Sequence, residues 1–233
     1  MGGIPAELVI SEVFGPTFQG EGPSLGRRAG FVRLGRCNLD CTWCDTPYTW
    51  DWENYDPAVE LRRTPVADIV AQLEQMDPDL VVITGGEPLL QQRALVPLLT
   101  ACRERAWPVE IETNGTQAPR PEVVPLVHQW NVSPKLSNSG VPLEKRLRPD
   151  ALSALSRTGR AVFKFVAVSV EDLDEIATLV DTHDLSPVWI MPEGTDPDAL
   201  IALAKELAAP VIARGWNFTP RLHVLLWGDE RGR

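Results

Sequence analysis

Short apolar runs alternate with helix-period segments along most of this chain. "ELVISEVF" (7–14) switches between apolar and polar positions and predicts a strand, as does "GFVRLG" (30–35). "TPVADIVAQLEQMD" (64–77) has apolar residues at helical spacing, with Pro65 in the first turn behind a threonine cap. "DLVVITGGEP" (79–88) predicts a buried strand running into a glycine turn, and 89–106 a helix interrupted by Pro97. Further strands are expected at 108–116, at 129–135 (ending at Pro134), at 161–168 and at 187–194. Helices are expected at 170–183 and 196–209, while 46–60 and 135–150 show neither period. "LHVLLW" (222–227) predicts a closing strand before a charged end, of use at a subunit interface.

Strand, turn and helix in repeated succession imply parallel strands joined by helical crossovers, an α/β fold. Ligand sites of such folds lie at the C-terminal ends of the strands. The polar turns TGGEP, ETNG, SPK and MPEG all fall at that edge. With no repeat or linker in view, one domain over 1–233 is expected, with a C-terminal tail.

Composition narrows the function classes. A chain of 233 residues can bury a real core. Its net charge of −10 argues against a general nucleic-acid binder, which needs basic patches for phosphates. No stretch approaches the roughly 18 apolar residues of a membrane span. The start "MGGIPAELVISEVFG" lacks a basic region followed by an apolar one, so no signal peptide is expected. The four cysteines do not form a secreted disulfide framework. A cytoplasmic protein without nucleic-acid or membrane partners is the expectation.

Three of those cysteines crowd into "GRCNLDCTWCDT" (35–46): Cys37, Cys41 and Cys44. Thiolates suit zinc, copper(I) or iron–sulfur clusters. A structural zinc would need a fourth ligand. Cys102 and His128 are distant in sequence, and either remains available as that partner. On a four-iron cluster, three cysteines leave one iron open to a small chelating molecule.

Trp43 precedes the last cysteine, and "ITGGEPLL" (83–90) and "IETNGT" (111–116) follow in order. Together with C-x-x-x-C-x-x-C these resemble the radical S-adenosylmethionine (radical SAM) superfamily, over residues 10–195. "TFQGEGPSLGRRAGFVRLGRCNLDCTWCDTPYTW" (17–50) combines a QGEG turn, an F-x-R-L strand and a C-D-T-x-x-T-W tail. In this it is similar to the 7-carboxy-7-deazaguanine synthases.

The resemblance implies a compact partial (β/α) barrel. It implies a [4Fe–4S] cluster on Cys37, Cys41 and Cys44, with SAM chelating the fourth iron. SAM would lie against Trp43, Cys44, Asp45, Gly85 and Gly86, then Ser133, Pro134 and Lys135. Its last contacts would be Met191, Pro192, Glu193 and Gly194, although the family often has Gln where this chain has Met191. Mg²⁺ would sit at Thr46, with substrate and water supplying its remaining oxygens.

The implied substrate is 6-carboxy-5,6,7,8-tetrahydropterin, bound by Phe18, Gln19, Gly20, Arg33, Thr84 and Glu112. Arg33 is opposite in phase to Val32 and Leu34, so a barrel strand can turn it inward toward a carboxylate. The implied reaction starts with hydrogen abstraction from C6. Ring contraction, hydrogen return and loss of ammonia then give 7-carboxy-7-deazaguanine, an intermediate toward deazapurines such as queuosine. A homodimer and a flavodoxin-type electron donor are implied as well.

Two rivals stand beside this. Activating enzymes that make a glycyl radical on a partner protein share the cysteine spacing but lack the QGEG turn and the tail with Thr46. A zinc or iron–sulfur binding module without catalysis is the other. His128, His183 and His223 stand alone and are expected to be structural or exposed, and Cys102 to be a small core residue.

Overall fold

In the computed structural model, which describes residues 6–233, every strand joins one sheet. The elements run β1 (Glu7–Phe18), β2 (Arg28–Leu34), α1 (Pro57–Glu60), β3 (Arg62–Pro65), α2 (Val66–Met76), β4 (Val81–Gly85) and α3 (Gln92–Glu104). They continue with β5 (Val109–Thr113), β6 (Gln129–Val132), α4 (Leu143–Arg146), α5 (Pro149–Ser156), β7 (Ala161–Ala167) and α6 (Asp172–His183). The chain closes with β8 (Val188–Pro192), α7 (Pro197–Ala213), β9 (Asn217–Phe218) and α8 (Leu222–Trp227). The strand order is β3-β1-β2-β4-β5-β6-β7-β8-β9, parallel from β2 to β9. This is the expected partial barrel. It departs from the expectation at one edge, where β1 pairs antiparallel with both β2 and β3.

Period-two alternation in the parallel strands sorts their side chains. Val32 and Leu34 of β2, Val81 and Ile83 of β4, Val109 and Ile111 of β5, and Phe163 and Phe165 of β7 join one apolar core. The helices supply Ile69, Leu73, Leu95, Leu98, Leu99, Cys102, Ile176 and Leu207 to that core. The alternate positions carry Arg33, Thr84, Glu110, Glu112, Asn131 and Lys164. A strand with an apolar outer face under helices and a polar inner face lines a lumen rather than a second core.

Three expected elements change. Residues 62–65 extend the sheet as an edge strand, with Thr64 opposite Leu8 and Pro65 opposite Glu7, and α2 starts only at Val66. Proline is tolerated at an edge, where its missing N–H faces away from the ladder. Pro97 lies inside α3 without ending it. "LHVLLW" is a helix rather than a strand: Leu225 N–H reaches Arg221 O (3.1 Å) and Gly228 N–H reaches Val224 O (2.8 Å). A six-residue apolar run carries too little periodicity to separate the two states. The irregular segments 46–60 and 135–150 also hold short helices, α1 and α4, and the first turn of α5.

Candidate active site

β2 ends at Leu34, and the segment carrying the three cysteines leaves the sheet there without regular structure. Backbone bonds fix its course. Arg36 N–H donates to Thr49 O (2.7 Å), and Thr42 N–H to Ser139 O (3.0 Å). The glycine turn after β4 packs against it from below: Gly86 N–H donates to Leu34 O (3.1 Å) and Glu87 N–H to Arg36 O (2.8 Å). A Cβ on Gly85 would strike the Leu34 carbonyl, and one on Gly86 the Arg36 carbonyl. Gly85 also has φ +125°, a conformation that side chains disfavour. The sequence assigned these glycines to a close ligand. The structure shows that they first admit the cysteine segment.

Glu87, fully buried, clamps the same turn to the end of β5. It accepts from Leu89 N–H (2.9 Å), Asn114 N–H (2.7 Å) and Thr113 Oγ1 (2.8 Å). Burial raises its pKa, against the pull of these three donors.

A cavity of about 650 Å³ extends from the cysteines into the lumen, within the usual range of small-molecule sites. Cys37, Cys41 and Cys44 line its upper wall. Leu39 N–H donates to Cys37 Sγ (3.4 Å) and Trp50 Nε1–H to Cys44 Sγ (3.3 Å). Burial pushes the Cys37 thiol up to about 12. Such a thiol keeps its proton until a metal's positive charge stands beside it. Among the described residues, no three His, Cys, Asp or Glu side chains converge on a single metal ion. Cys102 lies in the apolar core. Three thiols on one cavity wall, two of them receiving N–H donors, fit an iron–sulfur cluster with an open position.

Around this wall stand most of the residues singled out in the sequence. Trp43, Asp45, Thr46, Ser133, Lys135, Met191 and Glu193 all line the cavity. Lys135 Nζ bonds Ser133 Oγ (2.9 Å) and lies 5.5 Å from the centre of the Trp43 ring. Thr46 Oγ1 is 3.7 Å from Cys44 Sγ. Pro134, Pro192 and Gly194 do not face the cavity, and belong to the turns that carry their lining neighbours.

Deeper, Glu112 accepts from Thr84 Oγ1 (2.7 Å) and from Gln19 Nε2 (3.1 Å). One network thus joins three residues named separately from the sequence. Two donors leave the carboxylate with lone pairs to spare. Arg33 does turn inward, and its Nε donates to Glu12 Oε1 (2.7 Å), with Tyr48 OH on the same oxygen (3.1 Å). Phe18, 43% exposed, stacks on Trp227 at 6.3 Å.

The QGEG turn joins the antiparallel pair β1–β2 and closes the lower lumen. Ser24 and Asn131 both bond the Glu110 carboxylate there. Glu21 pairs with buried Lys164 and with Arg221. Burial alone would raise the Glu21 pKa, but the two cations hold it well below the usual carboxylate range.

Sequence reasoning missed Glu21, Lys164, Arg221 and His223. His223 was expected to be structural or exposed, yet it lines the cavity and packs on Gly20. Burial lowers its pKa. His128 is structural as expected, its Nδ1 accepting from Val109 N–H (3.0 Å). A charge set between apolar neighbours in "VEI" and "FKF" was the available signal for Glu110 and Lys164.

Known proteins resemble this chain in sequence and in fold. Residues 32–190 match the model of the radical SAM superfamily. A 7-carboxy-7-deazaguanine synthase of Pyrobaculum aerophilum is 35% identical over 227 residues, spanning 96% of each chain. Its counterpart in Rhodospirillum rubrum is 45% identical over 244 residues, spanning 94% of this chain and 92% of that one. The crystal structure of QueE from Escherichia coli superposes with a TM-score of 0.69 at 28% identity, covering 93% of this chain and 95% of that one.

Proposed function

The chain belongs to the radical SAM superfamily and, within it, to the 7-carboxy-7-deazaguanine synthases, and from that premise we infer the reaction of its cavity. The enzyme converts 6-carboxy-5,6,7,8-tetrahydropterin to 7-carboxy-7-deazaguanine, a ring contraction with loss of ammonia on the route to deazapurines such as queuosine. The observation that carries this is the shared cavity: three thiols at its top and the Gln19–Glu112–Thr84 network below them.

Cys37, Cys41 and Cys44 are the residues to hold the [4Fe–4S] cluster. When bound, the cluster and SAM supply an adenosyl radical for hydrogen abstraction. The turns at Gly85–Gly86, Ser133–Lys135 and Met191–Gly194 flank the SAM side. Glu112, preset by its two donors, accepts from the amino edge of the heterocycle, and Phe18 covers its face. Arg33, anchored at Nε by Glu12, faces the substrate carboxylate. The QGEG turn and α8 exclude water from the lower lumen. Thr46 would hold Mg²⁺ through its hydroxyl, with substrate and water supplying the remaining oxygens. Use of the chain as a single domain, a homodimer, a flavodoxin-type donor and a cytoplasmic setting belong to the same proposal. Among the described residues, no helix is long and apolar enough to cross a membrane.

Anaerobic reconstitution followed by turnover with SAM, reductant and the carboxylated pterin tests this reading. About four irons per chain, absorption near 400 nm and product without any protein partner are expected. Stoichiometric zinc without iron uptake, or no product from a loaded enzyme, would refute it. Thr46→Ala should raise the Mg²⁺ needed for half-maximal rate several-fold at unchanged iron content. An unaltered Mg²⁺ response removes Thr46 from the metal site.

Trp50→Phe keeps an aromatic ring, though a smaller one, and deletes the N–H on Cys44 Sγ. An N–H donor stabilises the more negative, reduced cluster, so its loss should shift the reduction potential downward. A redox titration followed by electron paramagnetic resonance reads the shift. The same potential in both proteins would show that the bond has no electronic role.

A further inference from the structure

Arg221 lies 6% exposed where three separate segments of the site meet. Its Nη2 pairs with the carboxylate of Asp45, the residue after the third cysteine. Its Nη1 donates to Gly194 O (2.8 Å), at the turn after β8. Its Nε faces Glu21 Oε1 at 3.4 Å, in the QGEG turn. The chain on either side of Arg221 is stitched to that same turn, by a side chain before it and by backbone after it. Gly22 N–H donates to Thr219 Oγ1 (2.8 Å), and Leu222 N–H to Gly20 O (2.9 Å). Lys164 holds the other oxygen of Glu21.

Under the reading above, Asp45 and Gly194 belong to the SAM side and Glu21 to the substrate side. A planar guanidinium with fixed donor directions sets their spacing more rigidly than a lysine can. Hydrogen transfer demands such spacing, because a misplacement of about 1 Å costs on the order of 100-fold in rate.

We propose that Arg221 is a positioning residue that locks the substrate turn to the two SAM-side segments, so that radical formation stays coupled to hydrogen abstraction from the substrate. This rests on the proposed reaction, in which returning hydrogen regenerates SAM. The coupled enzyme then accumulates little 5′-deoxyadenosine per product formed. Arg221→Gln leaves Glu21 paired with Lys164 and leaves Asp45 at its partly exposed position, so the fold is expected to survive.

The experiment measures free 5′-deoxyadenosine and product in wild type, Arg221→Gln and Arg221→Lys, each with its iron content verified. In Arg221→Gln the ratio of 5′-deoxyadenosine to product should rise about 10-fold or more, with partial recovery in Arg221→Lys. A lost structural support would lower both compounds together and leave the ratio unchanged, and that result overturns the proposal. If Arg221→Gln does not melt cooperatively, the ratio in Arg221→Lys decides: a rise above wild type supports the lock and an unchanged ratio removes it. Absence of product in the wild type would instead count against the proposed reaction, independently of Arg221.

Discussion

Cys41→Ala should abolish SAM cleavage and prevent assembly of a complete cluster, while the apoprotein keeps its sheet. The two halves of this expectation come from different parts of the molecule. Cys41 packs only into a small group with Leu39 and Val141, flanked by Cys37 and Cys44, apart from the main core. Removing one sulfur there costs about 1 kcal/mol or less of a total stability of roughly 5–15 kcal/mol. For the cluster the loss is categorical, since two thiols cannot replace three around one cavity. Iron content, absorption near 400 nm and far-UV circular dichroism give the three readouts. Cys102→Ala is the matching control. Its sulfur is buried in the core on α3, so it should lose about 1 kcal/mol of stability and keep full iron content. A Cys41→Ala protein that still binds about four irons and cleaves SAM would disprove the cluster assignment.

Gly85→Ala should lower both stability and cluster content. The added methyl meets the Leu34 carbonyl, which is backbone of a central strand and cannot swing aside like a side chain. It must also adopt φ near +125°, a region open essentially to glycine alone. Strain of about 1–3 kcal/mol from the backbone and a similar amount from overpacking give a loss of at least about 2 kcal/mol. For a chain of this length that lowers the melting temperature by at least about 4 °C. Relief by moving the glycine turn would also displace Arg36 and Cys37, because Glu87 N–H bonds Arg36 O. Thermal unfolding of the apoprotein isolates the steric effect from any effect on ligand. A melting temperature within about 2 °C of wild type would mean that the turn relaxes freely, leaving SAM contact as the reason for this glycine.

What could be read in advance depended on how far apart the interacting residues lie along the chain. The parallel strands and main helices were legible because a period of two or of 3.6 is a local property. β3 and α8 were misread for the converse reason. Thr64 and Pro65 are an edge strand only because β1 lies beside them, and "LHVLLW" is a helix because it closes the lumen against the QGEG turn. The inward phase of Arg33 followed from alternation. Its ion pair with Glu12 did not, since that needs the register of two antiparallel strands.

The sequence by itself gathered the three thiols, because Cys37, Cys41 and Cys44 lie within eight residues and the reach of the chain alone brings them together. The cluster and SAM came from the resemblance of the motifs around them. Only the tertiary structure decided why Gly85 and Gly86 are glycine, and that Glu112 is held by Thr84 and Gln19. It also decided that Arg221 spans to Asp45, 176 positions away, and Lys164 to Glu21, 143 positions away. Such contacts depend on sheet closure and leave no period in the sequence. A buried charge far from its partner looks like any other charge until the fold shows which one it must meet.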